Sequence, residues 1–140
     1  MDPLAPLEEP TSLSQARAWL RDGDPRKRML AAKALGRQGA SVAEAVPDLC
    51  AALQDADPMV RSMVASALGR IGEGRAVPAL LACLADPVLP VRFWAVEALG
   101  RIGQAAPGLR EALEGLARSD DLHLSAAARR ALARLAPAVP

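Results

Sequence analysis

An internal repeat is the feature of this sequence that most restricts its fold. The tetrapeptide Ala-Leu-Gly-Arg at 34–37 recurs at 67–70 and 98–101, and a degraded copy, Ala-Leu-Ala-Arg, occupies 131–134. The copies are 33, 31 and 33 residues apart. A unit of this length cannot bury a hydrophobic core alone, so successive copies must stack against one another. The chain is therefore predicted to form a solenoid.

A second element alternates with the first and predicts that each repeat contains two helices. Ala-Val-Pro occurs at 45–47 and 76–78, with a looser copy at 106–108, and each copy runs to a leucine six residues past its proline. Proline is well placed in the first turn of a helix, and a glycine such as Gly39, Gly72 or Gly103 is well placed just past the end. The predicted helices are 12–21, 26–38, 45–54, 58–71, 76–85, 90–102, 107–118 and 122–135.

The composition favours an all-α fold. Apolar residues make up 51% of the chain and aromatic residues only 2%, so the core must consist of Ala, Leu and Val, which pack well between helices. No β-branched or aromatic run predicts a strand. The expected architecture is a right-handed α–α superhelix of about four helix pairs, eight helices in all. We expect an irregular Pro-rich tail at 1–10, the repeat domain at 11–136 and a C-terminal tail at 137–140.

These repeats carry a family resemblance. The alternation of an Ala-Val-Pro-x-Leu helix with a Val-Arg-x-x-Ala-x-x-Ala-Leu-Gly-Arg-Ile-Gly helix resembles the HEAT-like repeats of phycobilin lyases, over about residues 12–136. The resemblance implies a superhelix whose second helices line a concave, partner-binding surface. It does not imply one function, because that family includes scaffolds, lyase subunits, DNA glycosylases and metal hydroxylases.

A helical wheel of each second helix gives the candidate partner-binding residues. One arc faces the core, and the resemblance implies that the remaining arc faces the concave surface. That arc holds an apolar strip beside a row of arginines. The candidate residues are Met29, Leu30, Lys33, Arg37, Met59, Ser62, Met63, Ser66, Arg70, Phe93, Trp94, Glu97, Arg101, Arg130 and Arg134.

The apolar strip has two interpretations. Leu30, Met63 and Trp94 lie next to the core arc, so they could either wedge between neighbouring helices or face a partner. Phe93 and Met29 are predicted to point further from the core. A cluster of exposed Met, Phe and Trp side chains is typical of a binding patch.

The arginines also have two interpretations. Arg37, Arg70, Arg101 and Arg134 each lie in the last turn of a helix, where a cation favours the helix dipole. The alternative is a row that pairs with carboxylates or phosphates of a partner. A second arginine column is expected to be structural, with Arg28 paired to Asp24 and Arg61 paired to Asp57 in i,i+4 ion pairs.

Signatures of catalysis and of cofactor binding are missing from the sequence. The single histidine, His123, has no metal-ligand partners nearby, and the paired His-Glu motifs of HEAT-repeat hydroxylases do not occur. No phosphate-binding glycine loop or nucleophile triad is recognisable. Cys50 and Cys83 are predicted to be buried reduced thiols. We expect no metal and no cofactor.

Charge and hydropathy complete the functional prediction. The net charge is +1, with a local excess of +5 over residues 16–40, and no segment resembles a membrane span or signal peptide. The sequence favours a cytoplasmic, non-catalytic protein-interaction module whose partner is a protein or a peptide, with an acidic segment suited to the arginines. A nucleic-acid-binding protein using the arginine row, a lyase-like subunit for a bilin-bearing protein, and self-association remain alternatives.

Overall fold

The computed structural model describes residues 5–135, which form successive helix pairs in two layers and contain no strand. The short first helices of the pairs alternate with longer second helices, as the repeat predicts, and the all-helical solenoid class is confirmed. The helices are α1 (Leu13–Trp19), α2 (Pro25–Gln38), α3 (Val46–Ala52), α4 (Pro58–Ile71), α5 (Val77–Ala82), α6 (Leu89–Ile102), α7 (Leu109–Leu116) and α8 (Leu122–Arg134).

Local chemistry explains where the second helices begin and end. The carboxylates of Asp24 and Asp57 accept hydrogen bonds from backbone N–H groups in the first turns of α2 and α4, and a proline follows each aspartate. Gly72 and Gly103 end α4 and α6 in the left-handed conformation that glycine adopts easily. Gly39 differs, with φ 61° and ψ −144°, because the chain continues from it into a 3₁₀ helix.

The second helices stack directly on one another through glycine. A Cβ added to Gly36 would lie 2.9 Å from the Cα of Ala67, and one added to Gly69 would lie 2.7 Å from the Cα of Ala98. Gly100 meets α8 in the same way. The glycine of Ala-Leu-Gly-Arg therefore allows close backbone approach between repeats, a role that the repeat pattern alone does not reveal.

This stacking defines the inner face of the solenoid. Helices α2, α4, α6 and α8 pack closely in succession, whereas the first helices pack mainly on the second helices and hardly touch one another. A stack with one tightly spaced layer curves towards that layer. We therefore call the side lined by the second helices the inner face, and we expect it to be concave.

One continuous core of Leu, Val and Ala runs between the two layers. The leucines of the first three Ala-Leu-Gly-Arg copies, Leu35, Leu68 and Leu99, are all fully buried. Cys50 and Cys83 are free thiols at the edge of this core, the first half-buried and the second buried. Burial is the main cause that raises the pKa of Cys83 to about 11, so this thiol stays protonated at neutral pH.

The ion pairs of Arg28 and Arg61 join consecutive repeats. The Nε of Arg28 lies 2.7 Å from a carboxylate oxygen of Asp55, and the Nε of Arg61 lies 2.9 Å from one of Asp86. The prediction of i,i+4 pairs with Asp24 and Asp57 is therefore wrong. Those two carboxylates cap their helices, while the arginines reach forward to the next inter-helix turn.

Each of these arginines also donates a hydrogen bond to a backbone carbonyl within its own repeat. Nη1 of Arg28 donates to the carbonyl of Asp22, and Nη1 of Arg61 donates to that of Asp55, both at 2.8 Å. Arg92 repeats the backbone bond, with Nη1 2.8 Å from the carbonyl of Asp86. We call these three arginines and the aspartates of the turns the arginine ladder.

The ladder is incomplete at its last step. Ser119 stands where the two preceding turns have Asp55 and Asp86, and its hydroxyl accepts the same turn hydrogen bond, from the N–H of Asp121. Within residues 5–135 no carboxylate forms an ion pair with Arg92. The turn after the third repeat therefore lacks the arginine–aspartate ion pair that the two earlier turns form.

Candidate functional site

The candidate residues come together in a groove along the inner face. A cavity of about 230 Å³ lies where α2, α4 and α6 meet, and smaller cavities follow between α4 and α6 and between α6 and α8. We call this row of cavities, with the cavity beside α2, the inner groove. The candidate residues that line it are Met29, Leu30, Lys33, Met63, Ser66, Arg70, Trp94, Glu97, Arg101, Arg130 and Arg134.

Trp94 is the most prominent apolar side chain in the groove. It is 40% exposed and borders two adjacent cavities. Its indole meets the ring of Phe93 edge to face, with the ring centroids 5.1 Å apart. The indole thus packs on an aromatic neighbour and stays partly exposed, which is an arrangement suited to contact with a partner.

Phe93 and Met29 lie closer to the core than expected. Both are half-buried and pack against the core cluster, so the prediction that they point further from it than Trp94 is wrong. A wheel drawn for one isolated helix omits the flanking helices. In the stack, α4 and α6 have a second helix on both sides and α2 and α8 have one on a single side, and these neighbours cover positions that the wheel leaves open.

Two other candidates lie outside the groove. Ser62 is only 6% exposed, and its hydroxyl donates a hydrogen bond to the carbonyl of Pro58 one turn earlier. Its predicted place on the exposed arc is therefore corrected to the buried side of α4. Met59 is 58% exposed at the start of α4 and is not among the residues that line the inner groove.

The arginines Arg37, Arg70, Arg101 and Arg134 form an exposed row along one side of the groove. Each lies in the last turn of its helix, where it stabilises the helix dipole. Arg37 forms an ion pair with Glu9. The other three have no carboxylate partner within the part of the chain that is described, so their guanidinium groups are available to an anion.

A further ion pair crosses the far part of the groove. The Nη2 of Arg130 on α8 lies 2.8 Å from Oε1 of Glu97 on α6. The pair leaves little free charge at this position, because each group neutralises the other. The positive charge of the inner groove outside this pair therefore includes the arginine row and Lys33.

The N-terminal segment covers the first part of the groove. Residues 5–10 have no helical structure and run along α2, where Leu7 is half-buried. A cavity of about 440 Å³ is bounded by the segment and by side chains of α2 and α4: Ala5, Pro6, Leu7, Arg26, Met29, Leu30, Lys33 and Met63. Of the two predicted tails, residues 1–4 of the first and all of the second, 137–140, lie outside the described residues.

Glu9 anchors this segment electrostatically. Its hydrogen bond to Arg37 is the main cause that lowers the pKa of its carboxyl, and the charges of Arg37 and Lys33 act in the same direction. The sequence gives one signal for this contact, since the acids Glu8 and Glu9 precede the strongly basic stretch 16–40. Composition alone cannot place the segment on α2 rather than in solvent.

The first helices carry a separate polar cavity. It has a volume of about 500 Å³ and lies between α1 and α3. Nε of Arg17 and Nη2 of Arg21 both bind Asp48, at 2.6 and 3.1 Å. Its charges are paired within the chain, so this cavity offers less to a ligand than the inner groove does.

Metal-binding and membrane-spanning features can be assessed for residues 5–135. Across that range, no three His, Cys, Asp or Glu side chains cluster in a way that could hold a metal ion, and His123 is exposed. None of the helices there has both the length and the hydropathy that a bilayer crossing needs.

Sequence families agree with the fold. The HEAT-repeat family matches residues 13–100, and the PBS lyase HEAT-like repeat matches residues 91–115. No curated protein sequence matches the chain.

Solved structures give the same result. The complex of CpcE and CpcF of phycocyanin lyase from Nostoc sp. PCC7120 is similar with a TM-score of 0.78 and 30% identity, covering 96% of this chain and 57% of that chain. Human deoxyhypusine hydroxylase is similar with a TM-score of 0.70 and 31% identity, covering 95% of this chain and 46% of that one. An engineered protein at 24% identity and a TM-score of 0.72 supports the fold alone, over 87% of this chain and 61% of its own.

This chain thus spans about half the length of these similar structures. The family match covers more than half of the chain and agrees with the tandem helix pairs and their stacked second helices. The resemblance drawn from the repeats is confirmed: this chain belongs to the HEAT-repeat family.

Proposed function

We propose that this chain is a non-catalytic protein-interaction module that binds a segment of a partner protein in the inner groove. The observation that carries the proposal is the combination of an open indole face on Trp94 with a neighbouring free guanidinium on Arg101, both bordering one cavity. Trp and Arg are the residues most often found at the energetic centres of protein interfaces.

The arrangement suits a polypeptide better than a small metabolite. The cavities are shallow and continuous along four helices, whereas small-molecule sites usually enclose most of their ligand. Apolar contacts at Met63 and Trp94 alternate with charged positions at Arg70 and Arg101. A polypeptide can satisfy both kinds of contact at each repeat.

A lyase-like subunit is the second candidate. Its support is the likeness to the complex of CpcE and CpcF of phycocyanin lyase, together with the match of 91–115 to the PBS lyase HEAT-like repeat. On this hypothesis the chain would bind a bilin-bearing protein. Retention of purified phycocyanin by the immobilised chain would support it.

The test of the interaction module is a comparative capture from lysate. The immobilised wild-type chain is compared with Trp94→Ala/Arg101→Glu and with Arg118→Glu, which places the same charge change on an exposed arginine beside the first-helix layer. We expect the wild type and Arg118→Glu to retain the same proteins and the groove variant, Trp94→Ala/Arg101→Glu, to lose them. Equal retention by all three, with unchanged helical circular dichroism, would contradict the proposed site.

A further inference from the structure

The N-terminal segment shows what chemistry the inner groove accepts. Leu7 is half-buried and borders the same cavity as Met29 and Leu30, while Glu9, two residues later, pairs with Arg37. A short non-helical segment of the chain itself thus brings an apolar side chain to the apolar strip and a carboxylate to the arginine row within one repeat.

The equivalent positions of the next repeats lack such an occupant. Met63 and Arg70 border one cavity, and Trp94 and Arg101 border the next, without a carboxylate paired to either arginine in the described part of the chain. The second and third repeats therefore present the same combination of apolar and cationic side chains as the first. Only in the first repeat does the described N-terminal segment lie against this combination.

We propose that the inner groove binds an extended acidic segment of a partner protein, with apolar residues between its carboxylates, and that residues 5–9 are an intramolecular occupant of the same kind. This inference rests on the proposed function and names the partner's chemistry. It also implies that the cis segment competes with the partner for the part of the groove beside α2.

The spacing of the arginines sets the spacing of the acids. Packed helices lie about 8–10 Å apart, and an extended peptide in the polyproline II conformation advances about 3.1 Å per residue, with every third side chain on the same face. A segment crossing from α4 to α6 would therefore place a carboxylate on Arg70 and another on Arg101 when the acids are about three residues apart. The residues between them would face Met63 and Trp94.

Charge complementarity favours this occupant over a bare polyanion. The net charge of the whole chain is only +1, and Glu97 neutralises Arg130 inside the groove. A nucleic acid needs many phosphate contacts for affinity. The groove offers a few separate cations divided by apolar surface, which suits acids separated by apolar side chains.

The probe for the test is a fluorescein-labelled peptide of tandem Leu-Pro-Glu units, which has acids at the required spacing and an extended backbone. Its control has Lys in place of each Glu. Binding to the full chain is measured by fluorescence anisotropy at low ionic strength, with wild type, Arg101→Glu, Arg118→Glu and Leu7→Ser/Glu9→Gln.

We expect Arg101→Glu to weaken binding about tenfold or more, since a charge-assisted contact becomes a repulsion, while Arg118→Glu stays close to wild type. Leu7→Ser/Glu9→Gln should bind several-fold more tightly, because the cis occupant is weakened and its share of the groove becomes available. The Lys peptide should not bind.

Three outcomes would overturn the inference: no binding of the Glu peptide, equal loss with Arg101→Glu and Arg118→Glu, or displacement of the peptide by an oligonucleotide at equal charge concentration. These outcomes are separable from failure of the proposed function. If the Glu peptide fails while lysate capture still depends on Trp94 and Arg101, the groove binds a partner of other chemistry. If capture is also independent of the groove, both proposals fail.

Discussion

Completing the arginine ladder should stabilise the protein. We predict that Ser119→Asp creates the missing carboxylate partner of Arg92. The change suits the local structure, because Ser119 already accepts the turn hydrogen bond that Asp55 and Asp86 accept in the earlier turns. Arg92 already donates to the Asp86 carbonyl, so its guanidinium is held in the geometry that Arg61 uses.

The expected gain follows from the burial of the existing pair. The side chains of Arg61 and Asp86 are 14% and 11% exposed. The energy of this ion pair should therefore lie between that of exposed pairs, about 0.2–1 kcal/mol, and the about 3–5 kcal/mol that disruption of a buried pair costs. Desolvation of a new carboxylate offsets part of the gain. Burial also raises the pKa of Asp86, yet Arg61 and the Val88 N–H outweigh it and the pKa lies below its usual value.

We therefore expect Ser119→Asp to raise the free energy of unfolding by about 1–2 kcal/mol, or Tm by roughly 3–6 °C for a chain of this length. Urea unfolding followed by circular dichroism at neutral pH measures it. Ser119→Asn is the matched control, since it keeps the turn hydrogen bond without the charge. The reasoning is refuted if Asp and Asn are equally stable, or if the gain persists in an Arg92→Gln background.

Three further outcomes follow from the structure. Asp86 should stabilise the protein relative to Asp86→Asn, fully so above the unfolded pKa of its carboxyl near 3.8. This stabilisation should decline as the pH falls through the lower pKa of the folded state, and urea unfolding from pH 6 to 2 measures it. Gly69→Ala should cost about 1–3 kcal/mol, because its Cβ would meet the Ala98 backbone at 2.7 Å; an unchanged Tm would contradict this. Cys83, with a pKa of about 11, should react with a disulfide reagent at pH 8 far more slowly in the native state than in urea; equal rates would show that the thiol is accessible.

The repeat pattern predicts the fold well because stacking is encoded locally in every copy. Helices 58–71 and 90–102 are expected almost where α4 and α6 lie, since aspartate caps, prolines and glycines mark most of their ends. Helix α5 is shorter than the predicted 76–85, because 3₁₀ turns at Gly74–Ala76 and Cys83–Ala85 take up its ends.

Contacts between repeats are harder to predict from the sequence. Arg28 and Arg61 have acids four residues before them, and local spacing favours those over Asp55 and Asp86, which are 27 and 25 residues away. The periodic recurrence of aspartate in the turns was the available signal. Ser62 shows the same limit, since its burial depends on a neighbouring helix that a single-helix wheel does not include.

The glycine contacts between second helices have a mechanical consequence. Because Gly36 and Gly69 bring backbone against Ala67 and Ala98, no long side chain separates the second helices at these two contacts. We therefore expect bending of the solenoid to occur in the outer layer, where the short first helices hardly touch one another. The distance between successive arginines of the row should then stay nearly constant while the overall curvature changes. The groove would present its cations to a partner at a fixed spacing.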